Sequence, residues 1–236
     1  MSDRQPGLQP LARTRLYEQV AQQIMGWVAE NDLTTGDRLL PERELATRLG
    51  VSRATVSQAL VALEVVGVVA VRHGDGAVLT DASGSAKVLD ALRAHAKRLP
   101  DIIDARDALE TKIAALAASR RTEPDLAAID AALDVMEADI DAGGRGVEGD
   151  ELFHAAITAA AHSSLLEKMM QEISELILET RIESLSQPGR PRDSLSAHRR
   201  IADAIRLGDP DLAAAAMHHH VAQVSDVAIL RDAPRD

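Results

Sequence analysis

A mostly α-helical chain in two parts is the fold the sequence predicts: a small N-terminal unit of three helices plus a β-hairpin, then an all-helical bundle of six or seven helices. Three observations carry this reading. Of 236 residues 46% are hydrophobic, yet only Tyr17, Trp27 and Phe153 are aromatic. The core must therefore be built from Ala, Leu, Val and Ile, which suits close-packed helices better than an aromatic-rich sandwich. Apolar positions recur at helical spacing along most of the chain, punctuated by Gly and Pro. The exception is "VVAVRHGDGAVLT", Val68 to Thr80, which alternates around a glycine-containing turn as a hairpin does.

Residues 1–13, with Pro6, Gly7 and Pro10, read as a disordered leader. Leu16, Val20, Ile24 and Trp27/Val28 then mark a first helix to about Asn31. Gly36 and Pro41 break it, and Leu39/Leu40 can form a short strand between them. "PERELATRLG" is a second helix, opened by Pro41 with acidic residues in its first turn and stopped by Gly50. One turn later Ser52 can cap a third helix that runs to Gly67. Helix, short strand, helix, tight turn, helix, hairpin is the order of a winged helix-turn-helix. The first domain is placed at residues 14–80, and the small polar "DASGSA", residues 81–86, reads as a linker. In the second domain, residues 87–228, helices are expected near 87–98, 101–120, 124–141, 147–161, 164–186, 192–207 and 210–228. Pro100, Pro124, Gly143/Gly144, Pro188 and Gly208 supply the breaks.

Without cysteine, the chain has no disulfide and no thiolate metal site. No apolar run reaches about 18 residues and the N-terminus has no signal-peptide pattern, so a cytoplasmic protein without a membrane partner is expected. The net charge of −11 is unevenly spread. Residues 1–80 carry eight Lys/Arg against nine Asp/Glu, and residues 81–236 carry eighteen against twenty-eight. The N-terminal part is close to neutral and can present a basic face to nucleic acid.

In a helix-turn-helix the second helix enters the major groove with its N-terminal end against the bases. Here that end is "SRATVS". Arg53 can pair with guanine or clamp a phosphate, and Ser52, Thr55 and Ser57 offer hydroxyls to phosphate oxygens. Arg43 stands in the first turn of the preceding helix. His73 and Gly74 form the tip of the wing, where glycine lets the backbone approach the minor groove closely. Double-stranded operator DNA is the expected partner, bound by a homodimer over two half-sites.

The histidines suggest a second kind of chemistry. "GDELFHAAI" sets Asp150 and His154 at i and i+4, on one helical face. His198 and His220 each lie about ten residues, or roughly 15 Å, from the turn Gly208–Pro210, which makes them level across an antiparallel hairpin. Two pairs able to converge make an Asp-His-His-His site for a divalent metal, with Zn²⁺ first and Ni²⁺, Mn²⁺ or Fe²⁺ as alternatives. In "MHHH", Met217 to His220, consecutive residues splay by about 100°, so only one histidine can face inward.

These motifs resemble a known family. "LLPERELATRLGVSRATVSQALVALEVVGVVAVRHGDGAVL" is similar to the winged-helix domain of GntR-type bacterial transcription regulators. "RDALE", "DELFH" and "SAHRRIADAIRLGDPDLAAAAMHHH" resemble the FCD-type ligand domain of the FadR-like branch. The resemblance implies a transcription regulator, not an enzyme, whose operator binding responds to a small carboxylate at a metal held by Asp150, His154, His198 and His220. It further implies Arg43, Arg53 and Thr55 as DNA contacts, and Arg106 as the arginine that receives the effector's carboxylate. Ser57 stands where family members commonly carry arginine, which implies weaker affinity or a different operator sequence. "AHSSLL" stands where many have glycine-asparagine, which implies a different polar lining of the effector pocket. Two other classes fit parts of the chain: a metalloenzyme, for which no general base or nucleophile stands beside "DELFH", and an architectural DNA protein with structural histidines.

Overall fold

The computed structural model of the chain describes residues 16–72, 76–81 and 85–225. Among them are ten helices and one two-stranded antiparallel sheet. The N-terminal unit is α1 (Leu16–Glu30), α2 (Glu42–Leu49), α3 (Arg53–Val65) and the hairpin β1 (Val69–Arg72) and β2 (Gly76–Leu79). The expected strand at Leu39/Leu40 is reduced to one bridge, Arg38 opposite Val78, with the Leu39 amide donating to the Ala77 carbonyl. α3 starts as its sequence requires: the Ser52 side chain accepts from the Thr55 amide at 3.1 Å.

The remaining helices are α4 (Ser85–Arg120), α5 (Glu123–Asp141), α6 (Val147–Ala160), α7 (Ser164–Glu172), α8 (Ser174–Leu185), α9 (Arg190–Leu207) and α10 (Pro210–Ser225). None is long and apolar enough to cross a membrane. Two expectations are corrected. Pro100 does not end a helix: α4 runs through it for 36 residues. An interior proline removes one helical hydrogen bond, at the Ala96 carbonyl, and costs about 3 kcal/mol. Packing on both sides of it offsets that loss. Val88, Leu92 and Leu99 pack into the N-terminal core, whereas Ile113, Ala114, Ala117 and Ala118 pack into the second core. The single helix expected over 164–186 is instead two, broken at Ile173 (φ −106°, ψ 8°). α7 buries none of its residues, while α8 turns inward and buries Ile177, Thr180 and Arg181.

In the second core α6 packs against α5 at close range. A Cβ on Gly149 would stand 2.4 Å from the Met136 Cα, so only glycine permits the approach that seats the next residue, Asp150. α9 and α10 form the expected hairpin across Gly208, and α10 lies along α4.

Polar contacts join the two units. Arg145, between α5 and α6, donates to both carboxylate oxygens of Glu64 on α3 (2.7 and 2.9 Å) and to the Ser186 hydroxyl just beyond α8 (2.8 Å). Glu64 also accepts from the Val71 amide of β1. Nearby, the buried His95 of α4 faces two carboxylates of α8, with Nδ1 2.8 Å from Glu179 and Nε2 3.5 Å from Glu183. Arg98 stands 3.7 Å from Glu179. Burial opposes charging of the imidazole, but Glu183 and Glu179 outweigh it and hold the His95 pKa above its usual value.

A pKa raised on folding contributes stability below the unfolded-state value of 6.5 and loses it as pH climbs through the folded-state value. The thermal midpoint of the parent should therefore exceed that of His95→Gln most at about pH 6, with the gap narrowing as pH rises above that value. Thermal melts of both chains across pH measure it; parallel curves would show that His95 carries no such linkage.

Candidate functional site

Asp150 and His154 sit one turn apart on α6, and α9 and α10 bring His198 and His220 to them. All four are buried, at 3%, 3%, 0% and 2% exposure. One ligand atom from each lies within 4.8 Å of all the others. His198 Nε2 is 3.2 Å from His220 Nε2 and 3.5 Å from Asp150 Oδ2, and His154 Nε2 is 3.9 Å from Asp150 Oδ1. Bonds of about 2.0–2.1 Å to a tetrahedral ion set neighbouring ligand atoms about 3.3–3.4 Å apart. The 3.2 and 3.5 Å spacings match that value, and the 3.9 Å spacing is about half an ångström wider. His154 Nε2 and Asp150 Oδ1 are buried without a hydrogen-bond partner, which is costly for polar atoms unless an ion uses them.

Protonation favours ligation too. Burial pushes His198 down to about 3 against the pull of Asp150. Burial likewise holds His220 well below the usual histidine range, with His198 and His154 adding to it. Asp150 is disfavoured as an anion by burial, yet His198 and Arg181 keep its pKa below the normal carboxylate value. Neutral imidazoles beside an ionised carboxylate are the forms a metal needs.

Around the ligand atoms stands a second ring, in which the sequence reading named Arg106 but not Glu110, Thr180 or Arg181. Glu110 Oε2 lies 2.8 Å from His154 Nδ1, fixing the tautomer that leaves Nε2 bare. Burial disfavours the Glu110 anion, but Arg106 and His154 hold it well below the ordinary range. Arg106 donates from Nε to Glu110 at 2.7 Å and from Nη1 to the Thr180 hydroxyl at 2.8 Å. Arg181 Nε lies 2.7 Å from Asp150 Oδ1, although neither atom makes a hydrogen bond: the N–H is close but not aimed. The i, i+4 spacing of Arg106 and Glu110 inside "RDALE" was a readable signal. Arg181 and Thr180 join the site only through the tertiary placement of α8.

Beside the Asp150–His154–His198–His220 cluster a cleft of about 330 Å³ is lined by Glu151, His154, Thr158, Met170, Ile177 and Arg181, among others. Arg106 is not on its lining and is only 1% exposed. Of the three consecutive histidines, His218 and His219 are exposed and His220 is buried. His162 is exposed and pairs with Asp125 at 2.9 Å.

At the other end of the chain Arg43, Ser52 and Arg53 are exposed, and Thr55 and Ser57 half-buried, around the start of α3. The Arg53 side chain is 71% exposed with Glu42 4.0 Å away, an ion pair too loose and solvated to hold it. The Ser52 and Thr55 hydroxyls are 2.8 Å apart. His73 and Gly74 lie outside the described residues.

Glu110→Gln should weaken Zn²⁺ binding about tenfold to a hundredfold, because the amide no longer holds the His154 tautomer by charge. Competition with a chromogenic chelator measures this; an unchanged affinity would deny Glu110 that role.

Family comparisons agree with this architecture. Residues 16–79 match the bacterial regulatory proteins of the gntR family, and residues 101–223 match the FCD domain. The chain is 34% identical to the HTH-type transcriptional regulator LutR of Bacillus subtilis (strain 168), over 85% of this chain and 95% of that protein. It is 35% identical to the Uxu operon transcriptional regulator of Escherichia coli (strain K12), over 67% of this chain and 63% of that one. Among solved structures it resembles Streptococcus agalactiae GntR, at 26% identity and a TM-score of 0.46, over 88% of this chain and 98% of that one. The chain belongs to the GntR family of DNA-binding bacterial transcription regulators, in the FadR-like branch that carries an FCD ligand-binding domain.

Proposed function

We propose that this regulator binds operator DNA as a homodimer, and that a small carboxylate bound beside a divalent metal in the FCD domain changes that binding. The domain division at residues 14–80, 81–86 and 87–228, and a cytoplasmic location, belong to the same proposal. Zn²⁺ is the first choice of metal, held by Asp150, His154, His198 and His220. The observation that carries the reading is the set of four buried ligand atoms within 4.8 Å of one another, beside a ligand-sized cleft that His154 lines. When bound, the ion supplies a Lewis-acidic centre for a carboxylate oxygen. Arg106 holds Glu110, Glu110 holds His154, and the ligand set is thereby oriented. Arg106 stays a candidate for the effector only if its guanidinium leaves Glu110 and Thr180.

DNA contact falls to Arg53 for a base or phosphate, to Arg43, Ser52, Thr55 and Ser57 for the backbone, and to His73 and Gly74 at the wing. The route between the two sites runs through α8. Its Arg181 touches Asp150, its Glu179 and Glu183 face His95 of α4, and Ser186 beyond it shares Arg145 with Glu64 of α3. A ligand that favours one position of α8 thus favours one placement of the DNA-binding unit, and only such a differential preference shifts operator affinity.

Selecting duplexes from a random library and measuring their affinity by fluorescence anisotropy tests the proposal. The parent should enrich a defined two-half-site sequence, and Arg53→Ala should lose about tenfold or more on it. Asp150→Ala/His154→Ala should keep the DNA affinity but lose any response to Zn²⁺ with a carboxylate. Enrichment of no sequence would contradict the DNA assignment, and a response retained in the double variant would contradict the metal assignment.

A further inference from the structure

Two arginines approach the metal cluster, and their surroundings differ. Arg106, expected from the family resemblance to hold the effector, has its Nε on Glu110 and its Nη1 on Thr180, and it is absent from the cleft lining. Arg181 lines that cleft while 7% exposed, and its Nε has no hydrogen-bond partner. Among the described residues the carboxylate beside it is Asp150, itself a member of the cluster, 2.7 Å away and poorly aligned.

We infer that Arg181 is the side chain that receives the effector's carboxylate, and that the cleft selects a monocarboxylate carrying hydrogen-bond donors. This rests on the metal-and-carboxylate reading above. The electrostatics run as follows from the geometry. With no ion bound, Asp150 and Arg181 neutralise one another. An ion that takes Asp150 as a ligand shares that one carboxylate with Arg181 and adds positive charge beside it, which leaves the buried guanidinium under-compensated in a helical core. A carboxylate placed between the ion and Arg181 supplies the missing anion, and the planar fork of a guanidinium fits its two oxygens.

The far end of the ligand is chosen by the mouth of the same cleft, where Glu151, Glu167 and Gln171 are exposed lining residues. The floor is cationic and the mouth is anionic. A second carboxylate on the ligand would face Glu151 and Glu167 and be repelled, whereas hydroxyl groups can donate to them. Met170 and Ile177 provide apolar wall between the two ends.

The test uses the full chain loaded with Zn²⁺ and calorimetric titration with D-gluconate, acetate and succinate. The parent should bind gluconate more tightly than acetate, for want of donors on acetate, and more tightly than succinate. Arg181→Ala should weaken gluconate about tenfold to a hundredfold, the range of a hydrogen bond to a charged group. Arg181→Lys should retain part of the affinity. Both variants should bind as much Zn²⁺ as the parent, at equal or higher affinity because Arg181 no longer competes for Asp150. That metal readout also certifies an intact fold. Glu151→Gln/Glu167→Gln should narrow the gap between gluconate and succinate. Gluconate affinity unchanged in Arg181→Ala would overturn this inference alone, leaving a carboxylate effector in place. Succinate favoured in the parent would overturn the selectivity. Failure of all three anions to bind the Zn²⁺-loaded parent would remove the effector reading and this inference together.

Discussion

A carboxylate sealed inside a helical core has to be compensated, and the compensation of Asp150 organises the second half of this chain. Its neighbours are three imidazoles, two of which, His198 and His220, burial holds neutral, and one guanidinium at 2.7 Å. None of these makes a complete, well-aligned set of hydrogen bonds with it: Asp150 Oδ1, His154 Nε2 and Arg181 Nε all remain without partners. An arrangement of that kind is expensive as a purely structural feature. It becomes reasonable when a divalent cation is the missing member. Such an ion would draw α6, α9 and α10 to one point, with α4 behind them supplying Glu110 to His154.

Two helices carry this local chemistry outward. α4 threads both cores, so the leucines and valine that support the DNA-binding unit share a rigid body with Arg106 and Glu110. α8 is amphipathic in a functional sense: Thr180 and Arg181 turn toward the cluster, while Glu179 and Glu183 turn toward His95. Arg145 closes the circuit by binding the end of α8 and the end of α3 at once. The two units are thus joined by apolar packing along α4 and by polar, directional contacts through α8 and Arg145, and the polar set is the part that can change geometry.

How much of this was readable in the sequence follows from how local each feature is. The winged helix-turn-helix was legible because Gly36, Pro41, Gly50 and Ser52 punctuate it locally, and the structure adds only that the third strand is a single bridge. Asp150 and His154 were legible as an i, i+4 pair, and His198 with His220 through arithmetic on one hairpin. Pro100 misled because its effect on α4 was decided by packing in two cores at once. The break at Ile173 has no glycine or proline to announce it. Glu110 and Arg181 lie 40 and 31 residues from Asp150 in sequence. They meet it only after α4 and α8 are placed, and no periodicity encodes that meeting.

The most direct measurement is a titration of Zn²⁺ into metal-free protein, with the bound ion's surroundings read by X-ray absorption, beside an Asp150→Ala/His154→Ala variant. About one ion per chain in a nitrogen- and oxygen-only shell rich in imidazole, lost in the variant, is the expected result. No binding by the parent, or equal binding by the variant, would contradict the assignment of this cluster as the centre of the ligand domain.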